Sequence, residues 1–223
     1  MARISGIALE FCGRGGKRLR PRLCKAAFIA AGGDPSSTKV DILCEAVECF
    51  HKASLIHDDI QDCDEERYGR PTVWKEYGLP VAIAAGDWLV AHGYDLIANS
   101  GFDNSLEMMK ATVLSHVALC EGQGDDLMGG ADPKSADYIS TCERKTGEAF
   151  ALSAQLGALA AGAQPDEYRR YGLDFGVLFQ IRDDISDGAS CERVLDVAER
   201  LERELSASEV GRKLGKWYKS DEC

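Results

Sequence analysis

The chain has 223 residues, 45% hydrophobic and 28% charged, enough for one domain with a sizeable core. Its net charge of −11 argues against nucleic-acid binding, which rests on a basic footprint. There is no apolar run of about 18 residues to span a membrane, and Met1 to Glu10 lacks the basic and apolar regions of a secretory signal.

The apolar spacing is helical nearly throughout. Pro21 stands in the first turn of a segment with Leu23, Ala26, Ala27 and Ala30 that stops at Gly32-Gly33. Ser36 and Ser37 are expected to cap a second helix, striped by Val40, Leu43, Val47, Phe50 and Ser54. Pro80 opens a third through Ala84, Trp88 and Ala91 towards Ile97. Asn104 or Ser105 caps a fourth through Met108, Val113, Val117 and Cys120. A fifth is predicted from Tyr138 to Leu159, a sixth from Pro165 to Asp187, and a charged helical tail from Glu192 to Lys219. No alternation bounded by Asn-Gly or Asp-Gly signals a hairpin. The expectation is an all-α antiparallel helical bundle forming a single domain over 1–223. Nine cysteines form no CxxC pair and no zinc spacing, which fits free thiols and a cytoplasmic location.

Two copies of one acidic pattern stand out: Asp58-Asp59-Ile60-Gln61-Asp62 and Asp183-Asp184-Ile185-Ser186-Asp187. Each places Asp at i, i+1 and i+4, so that the first and last share a helix face. One DDxxD run is ordinary for a solvated helix end. Two, each closing an apolar helix, are hard to assign to chance, because carboxylates continuing a buried stripe are costly without a cation. Mg2+ takes oxygen ligands from one or two carboxylates, water and substrate phosphates. An EF-hand is excluded by the missing loop glycine and twelfth-position Glu. Lys17, Arg18 and Arg20 precede a helix start, where free amides also favour a phosphate, and Arg67 and Lys145-Thr146 add further donors.

The stretches GGKRLRP (15–21), HKASLIHDDIQD (51–62), RPT (70–72), GD (86–87), EGQ (121–123), KT (145–146) and FQIRDDISD (179–187) follow one another in an order that resembles the polyprenyl synthetase (isoprenyl diphosphate synthase) family from Gly15 to about Gly188. The resemblance implies a bundle of the isoprenoid synthase type with a central active-site cavity. It implies a transferase, a homodimeric trans-prenyltransferase, that joins an allylic prenyl diphosphate to isopentenyl diphosphate. Asp58, Asp59, Asp62, Asp183, Asp184 and Asp187 would hold Mg2+, three ions with bound diphosphate. Lys17, Arg20 and His51 would bind isopentenyl diphosphate. Arg67, Lys145 and Gln180 would hold or orient the allylic substrate, and the Lys145-Thr146 carbonyls would stabilise the cation.

Several positions depart from that pattern. Tyr68 stands where the family carries a second Arg, which puts one diphosphate contact in question. Glu148 stands where a small or apolar residue is expected, and an outward-facing side chain would account for it. Two further helices before Gly15 and a Lys-containing segment after the second cluster are not found, so flexible segments near the N-terminus and after residue 188 are expected to be missing.

A terpene cyclase on the same scaffold is one alternative, and Lys17, Arg20 and His51 speak against it because a cyclase needs no second diphosphate pocket. A non-catalytic partner subunit is another; six aspartates speak against it and Tyr68 for it. Small residues at Ser54 and Ala53, four and five positions before the first Asp, leave the upper product channel open. With Ala46 lining the same stripe and Phe50 as a candidate floor, a product of twenty carbons or more is expected.

Overall fold

The computed structural model describes residues 3–129, 132–189, 191–215 and 217–218. Its frame is set by the two helices that end in aspartates, α3 (Asp41–Gln61) and α9 (Asp166–Ser186). Before α3 come α1 (Ile4–Cys12) and α2 (Leu19–Ala30). After it come α4 (Val73–Tyr77), α5 (Leu79–Ala98), α6 (Ser105–Leu127), α7 (Tyr138–Cys142) and α8 (Glu148–Ala160). The chain closes with α10 (Glu192–Ala207) and α11 (Glu209–Leu214). The fold is all-α, as the apolar spacing predicts. None of these helices is long and apolar enough to cross a membrane.

Helix α3 packs along α5 and against α2, while α8 lies between α2 and α9, with α6 along its flank. Burial of the apolar stripes drives this arrangement: Leu43, Val47, Ile56, Leu89, Ile97 and Leu156 are nearly or fully inaccessible. The α2–α8 crossing is close because Gly157 has no side chain; a Cβ there would lie 2.2 Å from the Cys24 carbonyl oxygen. Leu to Ala at such fully packed sites costs about 3 kcal/mol.

Four local features differ from the sequence expectation. Ser36 donates to Asp34 through its amide (2.9 Å) and hydroxyl (2.8 Å), forming a turn, so α3 starts later, after Val40. A two-residue hairpin pairs β1 (Glu66–Arg67) with β2 (Arg70–Pro71). It turns at Tyr68 (φ 55) and Gly69 (φ 70), a mirror-image turn that sequence inspection missed because Tyr is unusual there. The predicted helix over Tyr138–Leu159 is interrupted by a π-turn at Glu143–Gly147. The charged tail breaks at Ser208, whose hydroxyl caps α11 by accepting from the Gly211 amide; Lys219 lies outside the described residues. Eight cysteines are free thiols, and the ninth, Cys223, lies outside the described residues.

Candidate active site

Both acidic clusters occupy last turns, Asp58 and Asp59 on α3 and Asp183 and Asp184 on α9, with Asp62 and Asp187 as the residues that end those helices. A helix C-terminus already carries partial negative charge, so carboxylates gathered there repel it and one another. Burial pushes the Asp58 carboxyl up to about 6, with Lys145 opposing the rise and Asp62 adding to it. Asp183 is also raised, by burial and then by Asp187 and Asp184, against the pull of Lys17.

Asp59 differs from its neighbours. It is 1% exposed, and its Oδ1 accepts from Arg67 Nε at 2.5 Å, while Oδ2 has no hydrogen-bond partner among the described residues. Arg67 also reaches Asp64 at 3.6 Å. On the opposite side, Asp184 is gripped by two donors: Tyr138 Oη at 2.5 Å and Gln180 Nε2 at 2.8 Å. Gln180 in turn accepts from Thr146 Oγ1 at 2.7 Å.

Thr146 and Lys145 belong to the π-turn, and two glycines explain how it fits. A Cβ on Gly122 of α6 would lie 2.4 Å from the Lys145 amide nitrogen, and one on Gly176 of α9 would lie 2.7 Å from the Gly147 Cα. Lys145 donates to Asp126 at the end of α6. Gln123 Nε2, one turn earlier, donates to Gln61 Oε1 on α3 at 2.8 Å and ties the two walls together. A hollow of about 140 Å3 lies among Asp126, Tyr138, Thr141, Lys145, Gln180 and Asp184. A larger concavity, about 700 Å3, runs over Glu199, Glu202 and Arg203 of α10, but it is open surface along one helix with no convergent polar groups.

A second group of cations surrounds His51. Burial, then the charges of Arg20, Lys52 and Arg67, push its imidazole well below the usual histidine range, so it is neutral at pH 7. Arg20 stacks on Phe150, 4.6 Å from the ring centre, and burial lowers its guanidinium to about 10. Lys17 is exposed at the loop before α2. Of these cations Lys52 is buried and bonded to the Arg14 and Gly15 carbonyls and Arg67 is paired with Asp59, which leaves Arg20 beside neutral His51.

Asp126 and Tyr138 were missed by the sequence reading. The signal for the first was present: Asp125-Asp126 ends a helix one residue beyond EGQ, as the other acidic pairs end theirs. Tyr138 had none, since it reaches Asp184 across 46 positions. Glu148 does not face outward. It is 8% exposed and accepts from the half-buried Arg169 Nη2 at 2.6 Å and from Ser115 Oγ at 3.0 Å, contacts that bridge α6, α8 and α9. Ser54 is exposed and donates to the His51 carbonyl at 2.8 Å, whereas Ala53 and Ala46 are buried in the core.

The donor set at the two helix ends is all carboxylate oxygen, suited to a hard divalent cation. Among the described residues no three His, Cys, Asp or Glu side chains gather closely enough to hold a metal by themselves. The donor chemistry fits Mg2+ where further oxygens, such as those of a diphosphate, complete its shell.

The family model described as polyprenyl synthetase matches residues 2–197. The chain is 38% identical over 193 residues to a geranylfarnesyl diphosphate synthase of Aeropyrum pernix, covering 82% of this chain and 61% of that protein. It is 37% identical over 187 residues to a short chain isoprenyl diphosphate synthase of Methanothermobacter thermautotrophicus, covering 81% and 57%. A geranyltransferase structure from Helicobacter pylori superposes with a TM-score of 0.86 at 25% identity, over 98% of this chain and 88% of that one. The chain thus spans about three fifths of the length of the curated relatives it matches.

Proposed function

The chain belongs to the polyprenyl synthetase family, and on that premise we propose that it is a trans-prenyltransferase, condensing an allylic prenyl diphosphate with isopentenyl diphosphate. The observation that carries this reading is the pairing of two polar sites: one at the aspartate clusters beside Lys145, the other where buried His51 lies near Arg20 at the base of the loop that carries Lys17. A cyclase would need only the first. A non-catalytic subunit would need neither.

In this reading Asp58, Asp62, Asp183, Asp184 and Asp187 are the carboxylates that hold Mg2+, three ions with bound diphosphate. Asp59, committed to Arg67, orients that arginine towards the allylic diphosphate. When bound, Mg2+ supplies positive charge that offsets the charge developing on the leaving diphosphate. Lys145 adds a further cation there. The allylic C1–O bond breaks with its electron pair leaving on diphosphate. In this reading the carbonyls at Lys145-Thr146, in the π-turn, would stabilise the resulting allylic cation. Lys17, Arg20 and neutral His51 hold isopentenyl diphosphate so that its double bond attacks C1. A new C–C bond forms and a proton leaves to the departed diphosphate. The apolar walls exclude water, which would otherwise capture the cation.

Product length is set in this reading by a plug of three rings. Phe50 of α3 lies 4.3 Å from His116 of α6 and 5.3 Å from Tyr94 of α5, centre to centre. Tyr94 Oη and His116 Nδ1 share a hydrogen bond at 2.8 Å. Gly93 admits the Phe50 ring, since a Cβ there would lie 2.4 Å from it. Ala53, one turn above, is small and packs in the core, so in this reading the ring plug sets the limit, at a product of twenty carbons or more.

A homodimer is part of the proposal. Leu106, Val113, Leu114 and Val117 form an exposed stripe on α6, 47–72% accessible, and Leu79 and Ile83 of α5 are likewise exposed. Free cysteines fit a cytoplasmic setting. The test is incubation of the purified protein with Mg2+, an allylic diphosphate and labelled isopentenyl diphosphate. Elongated product is expected, EDTA should abolish it, and Asp58→Ala or Asp183→Ala should lower turnover by at least about 100-fold with the fold intact. A cyclic hydrocarbon, or no product, overturns the reading.

A further inference from the structure

Lys52 follows His51 on α3 and is 0% exposed, a rare place for a lysine. All of its ammonium protons are accounted for. Nζ donates to the Arg14 carbonyl and, at 3.0 Å, to the Gly15 carbonyl, and it lies 4.6 Å from the centre of the Tyr68 ring. Phe11 adds a second ring at 5.7 Å. The carbonyls belong to the loop between α1 and α2, which carries Lys17 and leads into Arg20.

That loop does not hold itself. Gly15, Gly16 and Arg18 all have left-handed backbone, φ 40, 98 and 47, and Arg18 carries a side chain in a region costing about 1 kcal/mol. Among the described residues the amides of Gly15, Gly16 and Lys17 make no backbone hydrogen bond. Tyr68 covers the loop from the other side. A Cβ on Gly15 would lie 2.9 Å from Cγ and Cδ1 of its ring, and one on Gly16 would lie 3.3 Å from its hydroxyl oxygen and 3.6 Å from Lys52 Nζ. The loop is thus clasped between a buried cation and an aromatic face, and the cation and the ring also attract each other. The amides of Gly15, Gly16 and Lys17, without backbone acceptors, are donors that an anion could take.

We propose that Lys52 and Tyr68 are positioning residues that clamp the Arg14–Arg18 loop in the conformation presenting its amides, Lys17 and Arg20 to the diphosphate of the second substrate. The proposal rests on the prenyltransferase reading. Lys52 cannot touch the ligand itself, because it is sealed beneath the loop. Tyr68 acts through its ring, so its hydroxyl is dispensable. The turn that presents Tyr68 also carries Arg67, which links the clamp to Asp59 and the first site.

The test compares Tyr68→Ala, Tyr68→Phe and Lys52→Met in the full chain. Tyr68 is 42% exposed, so its variants are expected to fold even if Lys52→Met does not. Trypsin cleavage after Lys17 or Arg18 reads the clamp without substrate, and steady-state kinetics reads its consequence. For Tyr68→Ala the expectation is cleavage at least about tenfold faster and an apparent KM for isopentenyl diphosphate raised about tenfold. The KM for the allylic substrate should change by less than about threefold and kcat little. Tyr68→Phe should behave as wild type. Unchanged cleavage in Tyr68→Ala overturns the clamp, and so does an equal rise in both KM values. Loss in Tyr68→Phe equal to that in Tyr68→Ala would make the hydroxyl a ligand and overturn the positioning role. A wild-type protein without elongation activity sinks the functional reading before any variant is made. The clamp is then read from calorimetry with inorganic pyrophosphate in EDTA: weaker binding to Tyr68→Ala supports it and equal binding overturns it.

Discussion

Tyr138 donates its phenolic proton to Asp184 at 2.5 Å, while Gln180 holds the other oxygen of the same carboxylate at 2.8 Å. Burial and this bond to a carboxylate both push the phenol far above its usual range, so it stays a donor at every working pH. Asp184 is thereby fixed in one rotamer before any ligand arrives.

Removing that donor should loosen the second cluster without dismantling it. Tyr138→Phe is expected to lower kcat about tenfold and to raise the Mg2+ concentration needed for half-maximal rate. A hydrogen bond to a charged group contributes about 1.5–3 kcal/mol, so a modest fall in Tm should accompany it. A magnesium titration of initial rates checks this; an unchanged half-saturation would show that Asp184 does not need the phenol.

The Glu148–Arg169 pair should matter for stability rather than for chemistry. Arg169→Ala leaves Glu148 buried with Ser115 as its remaining donor, at an expected cost of about 2–3 kcal/mol. Replacing both, as Glu148→Gln with Arg169→Met, should recover most of it. Urea unfolding of the single and double variants forms the cycle that measures the coupling.

Product length should respond to the ring plug. Phe50→Ala opens its centre and should lengthen the product, while Ala53→Phe, one turn nearer the aspartates, should shorten it. Tyr94→Phe removes the hydroxyl that holds His116 and should broaden the distribution of lengths. Chromatography of the dephosphorylated products reads all three; identical lengths would place the limit elsewhere.

Burial lowers the His116 imidazole to about 4. The unfolded chain takes up this proton near pH 6.5 and the folded one only near 4, so between those values the unfolded state binds more protons. The contribution is therefore fully present above about pH 6.5 and is lost as pH falls through that window, by up to about 3 kcal/mol. His116→Asn should flatten this stretch of the stability profile. Urea midpoints of both proteins at pH 7.5 and 5 check it.

The two aspartate clusters and their helices were legible in the chain because their determinants are local. Spacing by three and four along α3 and α9 defines the stripe, and i, i+4 spacing puts Asp58 with Asp62 and Asp183 with Asp187 on common faces. The order of GGKRLRP, HDDIQD and RDDISD carried the family with it. What each carboxylate does was decided by contacts remote in sequence. Asp59 and Asp58 are neighbours on one helix, yet a tight turn at Tyr68-Gly69 sends Arg67 to the first and leaves the second to Lys145 from 87 positions away. Glu148 is buried because Arg169 and Ser115 meet it there, and no pattern around Glu148 announces either. Tyr68, where the resemblance leads one to expect an arginine, packs as a cover for Gly15 with Lys52 beneath, since two glycines leave room for its ring. Backbone hydrogen bonds and apolar periodicity act within a few residues and can be read along the chain. Charge pairing and close packing act through space, and only the folded bundle sets which groups meet.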